Sequence, residues 1–174
     1  MYQSGELIVY GGHGVCRVEQ VAPAKEAGGK LYYTLKPLYG TETIYIPVDT
    51  HVFMRPIITR QEAEELVRQI PFIQEDICSS RKPAELKNHY EECLQTHDCH
   101  DLVQLMKGVY VKNRRAEDGG RRPGQVDMRY GKRAEELLYG ELAAALGIPK
   151  EDVEQYIVTR AEESLANSAP KGEN

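Results

Sequence analysis

The chain has 174 residues, with 22 basic and 27 acidic side chains for a formal net charge of -5, 41% hydrophobic residues, four cysteines and no tryptophan. That length holds one ordinary domain or two small ones. The composition excludes collagen, a disulfide scaffold and a wholly disordered chain, and no run approaches the roughly 20 apolar residues of a membrane span.

The segment from Met1 to Gly12 lacks the basic start and long apolar middle of a secretory signal, so a cytoplasmic protein without membrane contact is expected. In that compartment Cys16, Cys78, Cys93 and Cys99 are expected as free thiols. Residues 1 to 58 read as short strands, because β-branched and aromatic runs alternate with Gly and Pro. The strands are Glu6 to Tyr10, Val15 to Val21, Leu31 to Leu38 and Glu42 to Pro47, separated by Gly11-Gly12-His13-Gly14, Ala27-Gly28-Gly29-Lys30 and Tyr39-Gly40-Thr41. Four or five strands in so few residues bury their apolar faces by curling, which predicts a small SH3-like or Tudor-like barrel. Pro47 has no N–H to donate and ends its strand, which makes Thr43 to Ile46 an edge.

After Pro56 the period changes to 3.6 and helices follow, giving an α+β chain whose second part is all-α. Thr59-Arg-Gln-Glu62 is a capping box opening a helix that ends near Ile70-Pro71. A second helix runs from Pro83 to Leu94. Asp98 caps a third, whose Leu102, Leu105, Met106, Val109 and Tyr110 form an apolar stripe at helical spacing. A basic loop from Asn113 to Gly124 leads to a fourth helix with Tyr130, Ala134, Leu137 and Leu138 on one side and Gly147 as its C-cap. Pro149 then suits the first turn of a last helix with Val153, Tyr156 and Ile157 inward. The domain boundaries predicted are 1–57, 58–166 and a small, polar, disordered tail at 167–174.

Chemistry-bearing clusters are few. Gly11-Gly12-His13-Gly14 lies between two strands, whereas a phosphate cradle opens a helix, so it reads as a tight turn. Cys93, His97, Cys99 and His100 offer zinc-type ligands within eight residues. Their spacing does not suit a zinc knuckle, since Asp98 caps a helix between them, and no metal or cofactor is expected. No nucleophile elbow is present, and no enzymatic activity is expected.

Charge is more informative. Residues 1–58 carry five basic and five acidic side chains, 59–106 five and ten, 107–133 nine and three, and 134–174 three and nine. Arg129, Lys132 and Arg133 share one helical face at i, i+3 and i+4, and Arg114, Arg115, Arg121 and Arg122 precede them on the predicted loop. Together they can meet a phosphate backbone, which positions a protein without reading sequence.

Gly5 to Val15, reading Gly-Glu-Leu-Ile-Val-Tyr-Gly-Gly-His-Gly-Val, with Tyr32-Tyr33-Thr34-Leu35 and Ile44-Tyr45-Ile46-Pro47-Val48, resembles the bacterial CarD/CdnL family, whose first module is shared with transcription-repair coupling factors. The helical half, through Glu135-Glu136-Leu137-Leu138-Tyr139-Gly140-Glu141-Leu142-Ala143, is similar to the family's C-terminal domain. The resemblance implies a stand-alone transcription regulator. Its N-terminal barrel would dock on the RNA polymerase β subunit, and its helical domain would contact promoter DNA upstream of the bubble and affect open-complex stability. It implies that Thr43, Ile44, Tyr45 and Ile46 form the polymerase-binding edge and that Arg129, Lys132 and Arg133 fall in the DNA-facing patch. The chain departs from the family at Gly11, usually Pro. The tryptophan used as a wedge in well-studied members is also absent; its position falls close to Pro83, and the next aromatic is Tyr90. An adaptor that keeps polymerase binding and uses acidic helical faces for another protein is the alternative reading.

Overall fold

Alternation of apolar and polar residues puts the apolar members on one side of a pleated strand. The computed structural model describes residues 1–170, and over Met1–Ile58, the first of two units, this alternation builds one antiparallel sheet. Its strands are β1 (Leu7–Tyr10), β2 (Val15–Pro23), β3 (Leu31–Pro37), β4 (Ile44–Pro47) and β5 (Met54–Pro56), in the order β4-β3-β2-β1-β5. The pairs Ile8 with Cys16, Val18 with Leu35 and Tyr33 with Ile46 stand opposite one another and make the core. Tyr32, on the other side of β3, is half-buried.

The ladder between β2 and β3 is regular from Cys16 to Val18 and resumes at Gln20 one residue out of step. This bulge exposes Glu19 and Gln20 in succession and returns Val21 to the core side, because a one-residue shift swaps the faces of a strand. Between β1 and β2, Gly11 takes φ +44°, a left-handed backbone closed to proline, whose ring holds φ near about -65°. The turn is fastened by Gly11 N–H to Phe53 O (2.8 Å) and by stacking of His13 on Tyr10, ring centres 5.3 Å apart.

The sheet is open. Among the described residues no ladder joins β4 to β5, so hydrogen-bonded closure into a barrel is not present. A cleft lined by Tyr2, Tyr33, Val48, Met54 and Pro56 lies on the open side, and the Tyr2 N–H donates to Tyr33 Oη at 2.9 Å.

The unit beginning at Thr59 holds α1 (Arg60–Gln69), α2 (Pro83–Gln95), α3 (Cys99–Asp118), α4 (Gln125–Leu146) and α5 (Val153–Ser168). The expected capping box is formed: Glu62 N–H donates to Thr59 Oγ1 (3.1 Å) and Thr59 N–H to Glu62 Oε2 (2.7 Å). At the far end of α1, Lys107 Nζ donates to the carbonyls of Ile70 (2.9 Å) and Ile73, adding a donor from another helix to the local bond from Ile73 N–H to Ile70 O. Asp98 Oδ1 accepts from His100 N–H and opens α3, and Gly147 ends α4 at φ +69°.

Helices α3 and α4 run antiparallel, since Cys99 contacts Glu141 while Lys112 contacts Asp127. Leu102, Leu105 and Val109 are buried between their neighbours, but Tyr110, expected on the same stripe, is 64% exposed. The ideal 100° step per residue carries it out of the contact. Gly108 permits a close crossing, because a Cβ there would lie 1.7 Å from the backbone oxygen of Asp76. Pro149 precedes a short 3-10 turn, Lys150–Asp152, and not the first turn of α5 itself. Helix α5 continues through Asn167 to Ser168, two residues past the expected start of the tail, and the rest of that tail from residue 171 lies outside the described residues. Among the described residues no helix is long and apolar enough to cross a membrane.

Candidate functional site

Strand β4 is an edge, paired to β3 from Tyr32↔Pro47 to Leu35↔Ile44. Its side chains do not act alike. Ile46 is 8% exposed and belongs to the core, Ile44 packs against that core, and Tyr45 is 69% exposed. Thr43 precedes the strand and is exposed. Of the four residues expected at a partner surface, Tyr45 and Thr43 therefore offer side chains, while Ile44 and Ile46 hold the strand in place. An edge strand carries a row of backbone donors and acceptors that a partner strand can pair.

The basic segment divides into an inner and an outer set. Lys107 is tied to the end of α1. Lys112 Nζ lies 2.7 Å from Asp127 Oδ1, in a pair whose side chains are 19% and 9% exposed. Tyr90 Oη donates to the same carboxylate oxygen at 2.5 Å, and burial, reinforced by Asp127, pushes the Tyr90 hydroxyl well above its ordinary value. The other seven residues, Arg114, Arg115, Arg121, Arg122, Arg129, Lys132 and Arg133, are all exposed.

Their setting differs from expectation at one point: α3 runs to Asp118, so Arg114 and Arg115 sit on its final turns and only Arg121 and Arg122 are on the loop. The segment after Asn113 contains Arg, Ala and Glu, good helix formers, and no glycine before Gly119. All seven still gather at the connected end of the α3–α4 hairpin. Arg129 is braced by its neighbour, its guanidinium 5.0 Å from the Tyr130 ring centre. Pro83, where the family's wedge would fall, is exposed at the first position of α2, whereas Tyr90 is 1% exposed and committed to Asp127.

The cysteines are free thiols. Cys93, His97, Cys99 and His100 do not converge: Cys99 is buried and donates to Glu141 Oε2 (3.1 Å), while Cys93 joins a different group. That group is Asp76, His89 and Cys93, whose ligand atoms lie within 4.8 Å of one another. Burial, with the Asp76 carboxylate alongside, pushes the Cys93 thiol up to about 12. The legible signal was His-x-x-x-Cys on a helix, an i, i+4 pair on one face; Asp76 comes from an irregular stretch that no periodicity marks.

Residues 2–58 match the family model of the CarD-like/TRCF RID domain. The first unit is thus similar to the module that the sequence resemblance implied, and the match ends where the helical unit begins. Among curated proteins, none matches the chain.

Proposed function

We propose that the protein is a non-enzymatic transcription regulator, docking on the RNA polymerase β subunit through the β4 edge and touching upstream promoter DNA through the basic end of the α3–α4 hairpin. Its effect would fall on open-complex stability at initiation. The observation that carries the reading is the RID match over a sheet whose β4 is an edge with Tyr45 outward. The outward set of seven basic residues supports the DNA half. Docking makes a weak DNA surface sufficient, because a tethered site sees its target at roughly millimolar effective concentration.

The test uses the full chain with purified core polymerase and, separately, a promoter duplex over a range of salt. Tyr45→Glu is expected to abolish docking while the far-ultraviolet circular dichroism stays unchanged; undiminished docking removes β4 from the interface. With about four phosphates neutralised, log K falls against log salt with a slope near -3.6, and replacing Arg129, Lys132 and Arg133 by Ala flattens that slope by up to about 2.7. A chain that binds polymerase with no salt-dependent DNA term is the adaptor of the alternative reading.

A further inference from the structure

The Asp76, His89 and Cys93 group shares no residue with either proposed surface and has a chemistry that neither uses. His89 Nε2–H donates to Asp76 Oδ2 at 2.7 Å, and Cys93 Sγ–H donates to the same oxygen at 3.4 Å. Cys93 Sγ and His89 Nε2 are 3.9 Å apart. Three donors of three kinds, an oxygen, a nitrogen and a sulfur, therefore face one small volume.

Zinc binds such atoms at about 2.0 to 2.3 Å in a tetrahedron, which separates its ligand atoms by roughly 3.3 to 3.7 Å. The sulfur–oxygen distance of 3.4 Å lies within that range, and the sulfur–nitrogen distance of 3.9 Å lies just above it. The histidine–aspartate contact of 2.7 Å must open and the histidine–cysteine one close slightly, and the first is a hydrogen bond whose proton the ion would replace. The side chains of His89 and Asp76 are 32% and 33% exposed, which leaves a path for the ion and room for a solvent ligand in the fourth position.

The frame is held on both sides. His89 and Cys93 share one face of α2 at i, i+4, the spacing used by helical ligand pairs in zinc enzymes. Asp76 is fixed by its N–H donating to Gln104 O at 3.0 Å and by the close crossing at Gly108. We propose that Asp76, His89 and Cys93 form a binding site for a borderline divalent cation of the zinc type, which fastens the irregular connection after α1 to helix α2. Binding releases the Cys93 thiol proton to solvent and shifts the His89 ring proton from Nε2 to Nδ1 through solvent, leaving a thiolate and a neutral imidazole on the ion, with no change of oxidation state.

The probe is Zn²⁺ itself, titrated into the full untagged chain against a chromophoric chelator, with Co²⁺ as the spectroscopic reporter. The expected result is one ion per chain and a sulfur-to-cobalt charge-transfer band that Cys93→Ser abolishes. His89→Ala and Asp76→Asn should weaken binding by more than the roughly 10–100-fold that loss of an outer-shell partner costs. A measurement that needs no variant accompanies these: Zn²⁺ should slow alkylation of Cys93, mapped by mass spectrometry, while leaving the alkylation of Cys78 unchanged. Sub-stoichiometric binding, binding that survives all three substitutions in folded protein, or an unchanged alkylation rate at Cys93 overturns the site and leaves the triad a hydrogen-bonded fastener.

Discussion

The sheet unit and the helical unit handle charge in opposite ways. In the first, every charged side chain is exposed or half-buried, the core is apolar, and contact with a partner is offered by a backbone edge. In the second, Asp127 and Glu141 are buried, Lys112 is nearly so, and the exposed arginines surround an interior that is itself ionic. A buried charge stays only where its partners are fixed. The hairpin end that carries the basic patch therefore has its shape set by Lys112, Asp127 and Tyr90, whereas the β4 edge has its shape set by Ile46 and Ile44 in the apolar core.

The largest test of this contrast removes the internal carboxylate. Asp127→Ala leaves a buried ammonium and a buried hydroxyl without their shared acceptor and should cost about 3–5 kcal/mol in urea unfolding. Arg17→Ala, an exposed charge of the sheet unit, should change stability by no more than about 0.5 kcal/mol. Equal losses would end the distinction between the units.

Two glycines sharpen it at smaller scale. On helix propensity alone Gly108→Ala would gain about 0.5–1 kcal/mol. The crossing with Asp76 reverses the sign, and a loss of about 1–3 kcal/mol is expected. Gly11→Ala in the sheet unit should lose about 1–2 kcal/mol, in this case through its left-handed backbone. A Gly108→Ala protein more stable than the parent would show that the crossing gives way.

The smallest expected effect is alkaline. Burial raises Cys93 from 9.0 to about 12 and Tyr139 from 10.0 to about 12, and lifts Tyr90 further, while the sheet unit has Cys16 raised to about 11. For each, the folded protein holds its proton more tightly than the unfolded chain. Their contribution is full below the unfolded values of 9.0 and 10.0 and is lost as pH rises toward about 12. Thermal melts followed by circular dichroism should fall over that window, and Tyr90→Phe should make the decline shallower. A flat profile to pH 12 contradicts the burial of these groups.

How much of this was legible follows from what each element needs. The four longer strands, the Thr59 capping box, the Asp98 cap and the Gly147 cap rest on local chemistry, and their positions are readable from neighbouring residues. Strand β5 is Met54-Arg55-Pro56, with no β-branched residue, and exists through its pairing to β1. The helical state of Arg114 and Arg115 was hidden by their polarity, and the exposure of Tyr110 by the narrowness of the stripe. Asp76, distant in sequence from His89 and Cys93, is brought to them by a crossing that only the folded chain contains.

Lys107 has a further consequence, for the order in which the helical unit comes apart. The start of α1 is held by Thr59 and Glu62, three residues apart, with Arg60 also donating to Leu146 O at 3.2 Å. Its end is closed both locally, by the Ile73 N–H on Gln69 O at 3.1 Å, and by a lysine 37 positions away on α3. A local fastening persists in a loosened chain, while a distant one is lost as soon as its two segments separate. Departure of α3 thus takes the Lys107 fastening from the end of α1 and leaves the local ones at both of its ends.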